Sequence, residues 1–136
     1  MTAVQTLEDR RYTKDHEWAK KDDDEGQVTI GITAFAVEQL GDITLVGLDV
    51  GVGDEVRAGE AFGTIESVKT LSDLYAPLSG KVVSVNESLE NEPELVNEDP
   101  WEMGWMIVIE PSNFGGEKSD LIDASAYQAH VESLDH

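Results

Sequence analysis

The sequence predicts a mainly β fold, a sandwich or barrel built from two similar β units. Three observations carry that prediction. The middle of the chain is a series of short stretches rich in Val, Ile, Phe and Tyr and punctuated by Gly, Asp, Asn or Pro, the pattern of half-buried strands joined by tight turns. Many short strands of this kind imply a sandwich or barrel rather than a parallel sheet. There is also an internal echo: Gly41, Ile43 and Val46 recur at one common spacing as Gly80, Val82 and Val85, and the same spacing lays Val56 over Leu95 and Phe62 over Trp101. Thr64-Ile65-Glu66 then resembles Val108-Ile109-Glu110, so two similar β units flank the segment from Ser67 to Ser79, which should join them as an exposed hairpin.

Taken in order, residues 1–11 are polar and unpatterned and are expected to form a loose terminus. Strands are expected over Glu17–Lys20 and Gln27–Thr33, separated by the acidic, turn-rich run from Lys21 to Gly26. A short helix should follow over 33–40: Thr33 can cap it, Phe35, Val37 and Leu40 are its apolar residues, and Gly41 suits the left-handed position at its end. Further strands are expected at Ile43–Leu48, Glu55–Val56, Ala61–Ile65, Leu74–Ala76, Lys81–Val85 and Met106–Ile109. The glycines from Gly47 to Gly53 fit no phosphate-loop spacing and read as turns. Beyond Pro111, Asn113–Lys118 reads as a loop and 119–134 as helical with a break near Asp123; Tyr127, Val131 and Leu134 form a narrow apolar stripe that would pack on the sandwich.

A length of 136 residues fits one domain, 1–136, with one hydrophobic core. The charge excludes more. Nine Lys and Arg against 29 Asp and Glu leave −20, a surface that repels nucleic-acid phosphates and anionic headgroups and favours basic protein surfaces. Such an excess suits either docking onto basic partners or a salty cytoplasm. The chain contains no cysteine, so neither a disulfide nor a thiolate nucleophile exists, and any redox-active sulfur must arrive on an attached group. The opening MTAVQTLEDRRYTKD lacks the apolar stretch of a secretory signal and carries acids that a mitochondrial presequence avoids. No apolar run approaches membrane-spanning length. The expectation is a cytoplasmic, prokaryotic protein. His16 lacks a second histidine four residues on, and His130 and His136 lie in the tail, so no metal-ligand set is assembled. Trp18, Trp101 and Trp105 read as core or sheet-covering residues.

The run GEAFGTIESVKTLSDLYAPLSGKVVSVN holds the one residue that chemistry singles out. Lys69 is the sole base between Arg57 and Lys81. Val68 and Thr70 beside it are β-formers, while Ser67 and Ser72-Asp73 favour a turn. That sets one ammonium at the tip of a hairpin between the two β units. By itself a lone lysine on a turn is most often only a solvated cation.

The longer string closely resembles the glycine cleavage H protein family, in which a lysine within an ESVK motif carries lipoate in amide linkage. YTKDHEW (Tyr12 to Trp18), GITAFAVEQLGDI (Gly31 to Ile43), SDLYAPLSGKVVSVN (Ser72 to Asn86), PELVNEDPWEMGWM (Pro93 to Met106) and DASAY (Asp123 to Tyr127) are similar to family segments, in family order. Thr70, where Ala or Ser is more usual, and Asp49, where Pro is common, depart from the pattern without touching the lysine. A biotin carrier would flank its lysine with methionines. A lipoyl domain of a 2-oxo-acid dehydrogenase would show Asp before the lysine and a Pro/Ala-rich linker. A carrier of another multienzyme complex remains the alternative, and a carboxylate-pair hydrolase is the rival from another class.

The resemblance implies a sandwich or barrel-sandwich of two antiparallel sheets with pseudo-twofold halves and C-terminal helices, and a non-catalytic carrier subunit with lipoate on Lys69. Its partners would be a pyridoxal-phosphate glycine decarboxylase that loads an aminomethyl group, a tetrahydrofolate-dependent aminomethyltransferase that removes it, and an FAD-dependent dihydrolipoamide dehydrogenase that reoxidises the dithiol. A lipoate ligase or lipoyl/octanoyl transferase would attach the arm, reading Glu66 and Gly80 as recognition positions; without that role Glu66 reads as a solvated strand-end carboxylate, and Gly80 is expected to form a turn in either case. The loaded arm ends in a primary amine, positive at neutral pH, which a carrier should meet with carboxylates in a shielded groove. Glu17 in HEW and Asp73 in SDLY are the candidates, with Asp15 as a third.

Overall fold

A computed structural model describes residues 9–21 and 26–134. The acidic run 22–25, most of the terminus expected to be loose, and His136 lie outside the described residues.

Among the described residues, nine strands form two antiparallel sheets. The larger takes β1 (Arg11–Tyr12), β2 (Glu17–Lys21), β3 (Val28–Ile32), β9 (Ile107–Pro111), β8 (Gly80–Val85) and β5 (Glu55–Val56), neighbouring one another in that order. The smaller takes β4 (Ile43–Leu48), β6 (Ala61–Ser67) and β7 (Leu71–Tyr75). Inward-facing Val28, Ile30, Val46, Phe62, Ile65, Leu74, Val82, Ile107 and Ile109 from both sheets fill the main core, with the period-two alternation that a half-buried strand requires.

The internal echo has a structural counterpart. β4 pairs with β6 and β8 with β9, and the register is irregular at matching positions, between Ile43 and Leu45 in one pair and between Val82 and Ser84 in the other. The echo fails between those strands. Val56 sits in β5, whereas Leu95 sits in α3 (Glu94–Glu98), and Trp101 sits in a turn rather than a strand. The second unit inserts α2 (Ser88–Asn91) and α3 there, two short helices absent from the sequence prediction, which cover the core with Leu89 and Val96.

The predicted helix forms as α1 (Ala34–Leu40), and its caps do what local chemistry suggests. Thr33 Oγ1 accepts from the Ala36 amide at 3.2 Å, and Gly41 ends the helix at φ 79°, a conformation that glycine adopts without a Cβ penalty.

Three expectations are corrected. Residues 9–11 are held rather than loose: the buried Arg10 guanidinium donates to the Trp101 carbonyl at 2.9 Å and lies over the rings of Trp18 and Trp101. Phe114–Glu117 within the expected loop 113–118 forms a helical turn, α4. Gly47 lies inside β4, not in a turn.

The C-terminal helix α5 (Ala124–Leu134) follows a 3-10 turn at Lys118–Asp120 and so begins just after Asp123, near the expected break. Tyr127 and Val131 are fully buried in a second cluster with Tyr12, Trp18 and Trp101. Tyr12 and Tyr127 stack at 4.7 Å between ring centroids.

Candidate functional site

The site is built on the β6–β7 hairpin. Ile65 and Leu74 point into the core and set the hairpin's faces; Glu66 pairs with Leu71, and the strands close through Ser67-Val68-Lys69-Thr70. Ser67 makes that turn. Its amide donates to the Thr70 carbonyl at 2.9 Å, and its hydroxyl accepts from the amides of Lys69 and Thr70, each at 3.2 Å. A serine hydroxyl satisfying two turn amides is the side-chain device that stabilises such bends. Lys69 therefore stands exposed on a backbone with a defined presentation.

The hairpin tip is also tied to its neighbours. The Val68 amide donates to the Asp42 carbonyl at 3.1 Å. Asn97 of α3 bridges the same stretch, donating to the Gly41 carbonyl and accepting from the Ile43 amide, both at 2.9 Å. The methylenes of Lys69 pass directly over Gly41; a Cβ there would lie 3.4 Å from Lys69 Cε and 3.6 Å from Val68 Cγ2. A Cβ there would stand in ordinary van der Waals contact with the lysine, and the positive φ is what favours glycine at this position.

The three candidate acids converge at the other end of β7. Asp73 pairs with Thr64 in mid-strand, and Tyr75 follows it. The Tyr75 hydroxyl donates to Asp73 at 3.4 Å and its amide donates to Glu17 Oε2 at 3.4 Å. The negative charges of Asp73, Asp15 and Glu17 all push the Tyr75 phenol up, Asp73 most strongly. Tyr75, which the sequence did not single out, is thus the residue around which these acids gather.

Glu17 differs from the other two in being buried, with only 2% of its surface exposed. Burial pushes its carboxyl up to about 7, against hydrogen bonds from Thr13 and the Tyr75 amide that favour the ionised form. Thr13 Oγ1 donates to Glu17 Oε1 at 2.7 Å and accepts from the Asp15 and Glu17 amides. The turn that makes these bonds needs His16 at φ 74°, an uncommon conformation outside glycine. A buried network holds it: Tyr127 Oη lies 2.8 Å from His16 Nδ1 and 2.7 Å from Thr33 Oγ1, and the His16 carbonyl accepts from the Thr33 amide. Desolvation, and next the neighbouring His130, hold the His16 imidazole below its usual range. The His16 and His130 rings approach to 6.1 Å, a proximity the sequence did not suggest. Among the described residues no group of three or more acids and histidines could hold a metal ion.

Glu66 is exposed at the end of β6, three residues before the lysine. Gly80 requires a correction. It is the first residue of β8, paired with Val56 and Pro111, rather than a turn glycine. A Cβ at Gly80 would collide with the Glu110 carbonyl oxygen and lie 2.9 Å from Pro111 Cα, so close strand approach alone accounts for the glycine.

An exposed amine on a fixed turn can be acylated, and a half-shielded group of carboxylates can hold a cation; no described feature here adds an activated nucleophile. Comparison with known proteins agrees with that chemistry. The family described as "Glycine cleavage H-protein" matches residues 10–134. A glycine cleavage system H protein of Bacillus licheniformis is 53% identical over 129 residues, 95% of this chain and 98% of that protein. One of Anaeromyxobacter sp. is 52% identical over 92% of this chain and 94% of its own length. A probable glycine cleavage system H protein of Thermococcus gammatolerans is 53% identical over 90% of each. The crystal structure of a glycine cleavage system H protein from Mycobacterium marinum superposes with a TM-score of 0.84 at 40% identity, covering 93% of this chain and 99% of that one. These matches do not favour a carrier of another multienzyme complex. With the profile spanning both the lysine hairpin and the acid cluster, the chain belongs to the glycine cleavage H-protein family, the lipoate-bearing shuttle proteins that work with the other components of the glycine cleavage system.

Proposed function

We propose that Lys69 carries the lipoate as an amide on Nζ, and that Glu17, Asp73 and Asp15 receive the cationic end of the loaded arm. One observation carries the reading: a single strand, β7, starts beside an exposed amine and ends where those carboxylates gather around Tyr75. Leu71 to Tyr75 spans about 13 Å at strand rise, a distance suited to a lysine side chain lengthened by an acyl chain. The residues fit such a group. Lys69 is exposed and takes part in no ion pair among the described residues, and Gly41 leaves the space beneath its methylenes open.

When bound, lipoate supplies the disulfide that accepts an aminomethyl group and is later regenerated from the dithiol. The chain's own residues hold the arm and its charge. A cation arriving beside Glu17 favours the carboxylate and opposes the effect of burial, so this buried acid ionises when its cargo arrives. Tyr75 and Thr13 act as positioning residues, fixing Asp73 and Glu17 through the hydrogen bonds described.

The subunit is non-catalytic in this reading. Its finer partners are a pyridoxal-phosphate glycine decarboxylase, a tetrahydrofolate-dependent aminomethyltransferase and an FAD-dependent dihydrolipoamide dehydrogenase, together with the ligase or transferase that attaches the arm. Glu66 is read directly by that last enzyme, and Gly80 contributes by keeping the strands close. A prokaryotic cytoplasm is the setting this reading takes, in keeping with relatives in bacteria and an archaeon. Peptide mapping of the protein from lipoate-replete cells tests the attachment: the added mass is expected on Lys69 alone. A modification on another residue, or Lys69→Ala protein that still supports glycine decarboxylation, overturns it.

A further inference from the structure

The loop that joins β1 to β2, residues 13–16, ends on a residue in the left-handed region, His16 at φ 74°. A short hairpin loop that closes this way ordinarily places glycine there, and among the described residues His16 is the one non-glycine residue with a positive φ. Glycine adopts the conformation unaided; a histidine has to be held in it. The holding group comes from α5, 111 residues on in the sequence: Tyr127 Oη lies 2.8 Å from His16 Nδ1 and 2.7 Å from Thr33 Oγ1. The Thr33 hydroxyl is fully buried and reaches Tyr127 Oη as its acceptor, so the phenol's own proton is directed to His16 Nδ1. Burial pushes the Tyr127 phenol up, and it keeps that proton. The His16 ring is fixed from the sides as well, by Phe35 at 4.9 Å and Tyr127 at 5.7 Å between centroids.

We propose that Tyr127 is a positioning residue for Glu17, acting through the backbone of His16. Two links carry the effect along the chain. The His16 amide donates to the Thr13 carbonyl at 3.2 Å and the Thr13 amide donates to the Glu17 carbonyl at 2.9 Å, so residue 16 closes the turn that aims Thr13 Oγ1 at Glu17 Oε1. The His16 carbonyl accepts from the Thr33 amide at 2.9 Å, which ties the same turn to the start of α1. A residue 16 that relaxes to negative φ swings the next residue, Glu17, away from the Tyr75 amide and lets water reach a carboxyl that is otherwise buried. Glycine at position 16 would serve the fold alone. A histidine bonded to Tyr127 couples the turn to α5, a helix that contributes none of the carboxylates gathered at Tyr75. The inference rests on Glu17 receiving the cationic end of the loaded arm.

The test is a double-mutant cycle between Tyr127→Phe and His16→Gly in the full-length chain, with two readouts. One is the titration of the Glu17 carboxyl followed by carbon-13 NMR on the unlipoylated protein. The other is the rate of ammonia release from the lipoylated, aminomethyl-loaded protein. Tyr127→Phe is expected to lower the Glu17 midpoint from about 7 toward the ordinary carboxylate range and to speed ammonia release about fivefold, the scale of one lost hydrogen bond. In the His16→Gly background the same substitution should change neither readout, because glycine holds the turn without Tyr127. Equal effects of Tyr127→Phe in both backgrounds, or an unmoved Glu17 titration in the parent background, overturn the proposal. If Tyr127→Phe alone does not fold, recovery of the fold with His16→Gly supports the link, and a double variant that stays unfolded overturns it. Parent-like ammonia release in Glu17→Gln overturns the arm-receiving reading and leaves the positioning, read by the titration, in place.

Discussion

Glu17→Gln turns the buried carboxylate into a measurement. Its carboxyl is raised from 4.5 to about 7, with burial the largest cause. Between those values the folded chain keeps a proton that the unfolded chain has released, so the folded state binds more protons and stability falls as pH rises. The contribution is fully present below pH 4.5 and is lost as pH passes through about 7. At 1.36 kcal/mol per pKa unit the loss is about 3 kcal/mol. For a chain of this length that corresponds to about 10 °C in Tm, at roughly 4 °C per kcal/mol. Glutamine has nearly the same shape and still offers an oxygen to Thr13 or to the Tyr75 amide, but it does not ionise. The assay is the difference in Tm between Glu17→Gln and the parent, measured at pH 5 and pH 8, so that titration of the remaining carboxylates cancels. The variant is expected to gain about 10 °C relative to the parent on going from pH 5 to pH 8. A difference that stays constant between those pH values refutes the claim that burial of this carboxyl opposes its ionisation. A destabilising acid held in place by Thr13 and Tyr75 is what a cation-receiving site requires.

Other perturbations test separate links. Gly80→Ala should cost about 1–3 kcal/mol in denaturant titrations, since its methyl would collide with the Glu110 carbonyl across the strand pair; unchanged stability would mean that the strands separate freely. Glu66→Ala should slow lipoyl attachment at matched stability, because the side chain is exposed at a strand end; an unaltered attachment rate would leave it a solvated acid only. The net charge of −20 should make the melting temperature rise from low salt to 1 M KCl, as the Debye length falls from about 10 Å at 0.1 M to about 3 Å; a flat response rejects the view that self-repulsion limits stability.

Elements governed by neighbours in sequence were the legible ones. Thr33 and Gly41 bracket α1 because capping is local chemistry. The bounds of β4 and β5 follow alternating apolar residues between turn formers, and Ser67 announced the turn of the β6–β7 hairpin, whereas Ser72 and Asp73, also read as turn formers, are paired inside β7. Other elements carried no such signal. β1 is two residues long and exists because Tyr12 is buried against Tyr127 and Arg10 is held by Trp101, partners more than ninety residues away in sequence. α2 and α3 are too short for a 3.6-residue period to emerge.

The sequence by itself determined the family, the strand-rich fold and the one lysine suited to carry an acyl group, because these reside in residue types and their order along the chain. Only the tertiary structure decided what Glu17, Tyr75, Asn97 and Gly80 do. Glu17 reads as one acid among 29, and its raised pKa arises only when β2 packs beside the end of β7 and water is removed from the carboxyl. Tyr75 gathers acids drawn from separate segments, and Asn97 ties α3 to the strand entry beneath the lysine. Gly80 resembles any turn glycine until the Glu110 carbonyl is seen against it. Each of these properties is an interaction between groups distant along the chain, so its energy exists only once the two sheets have closed on their common core.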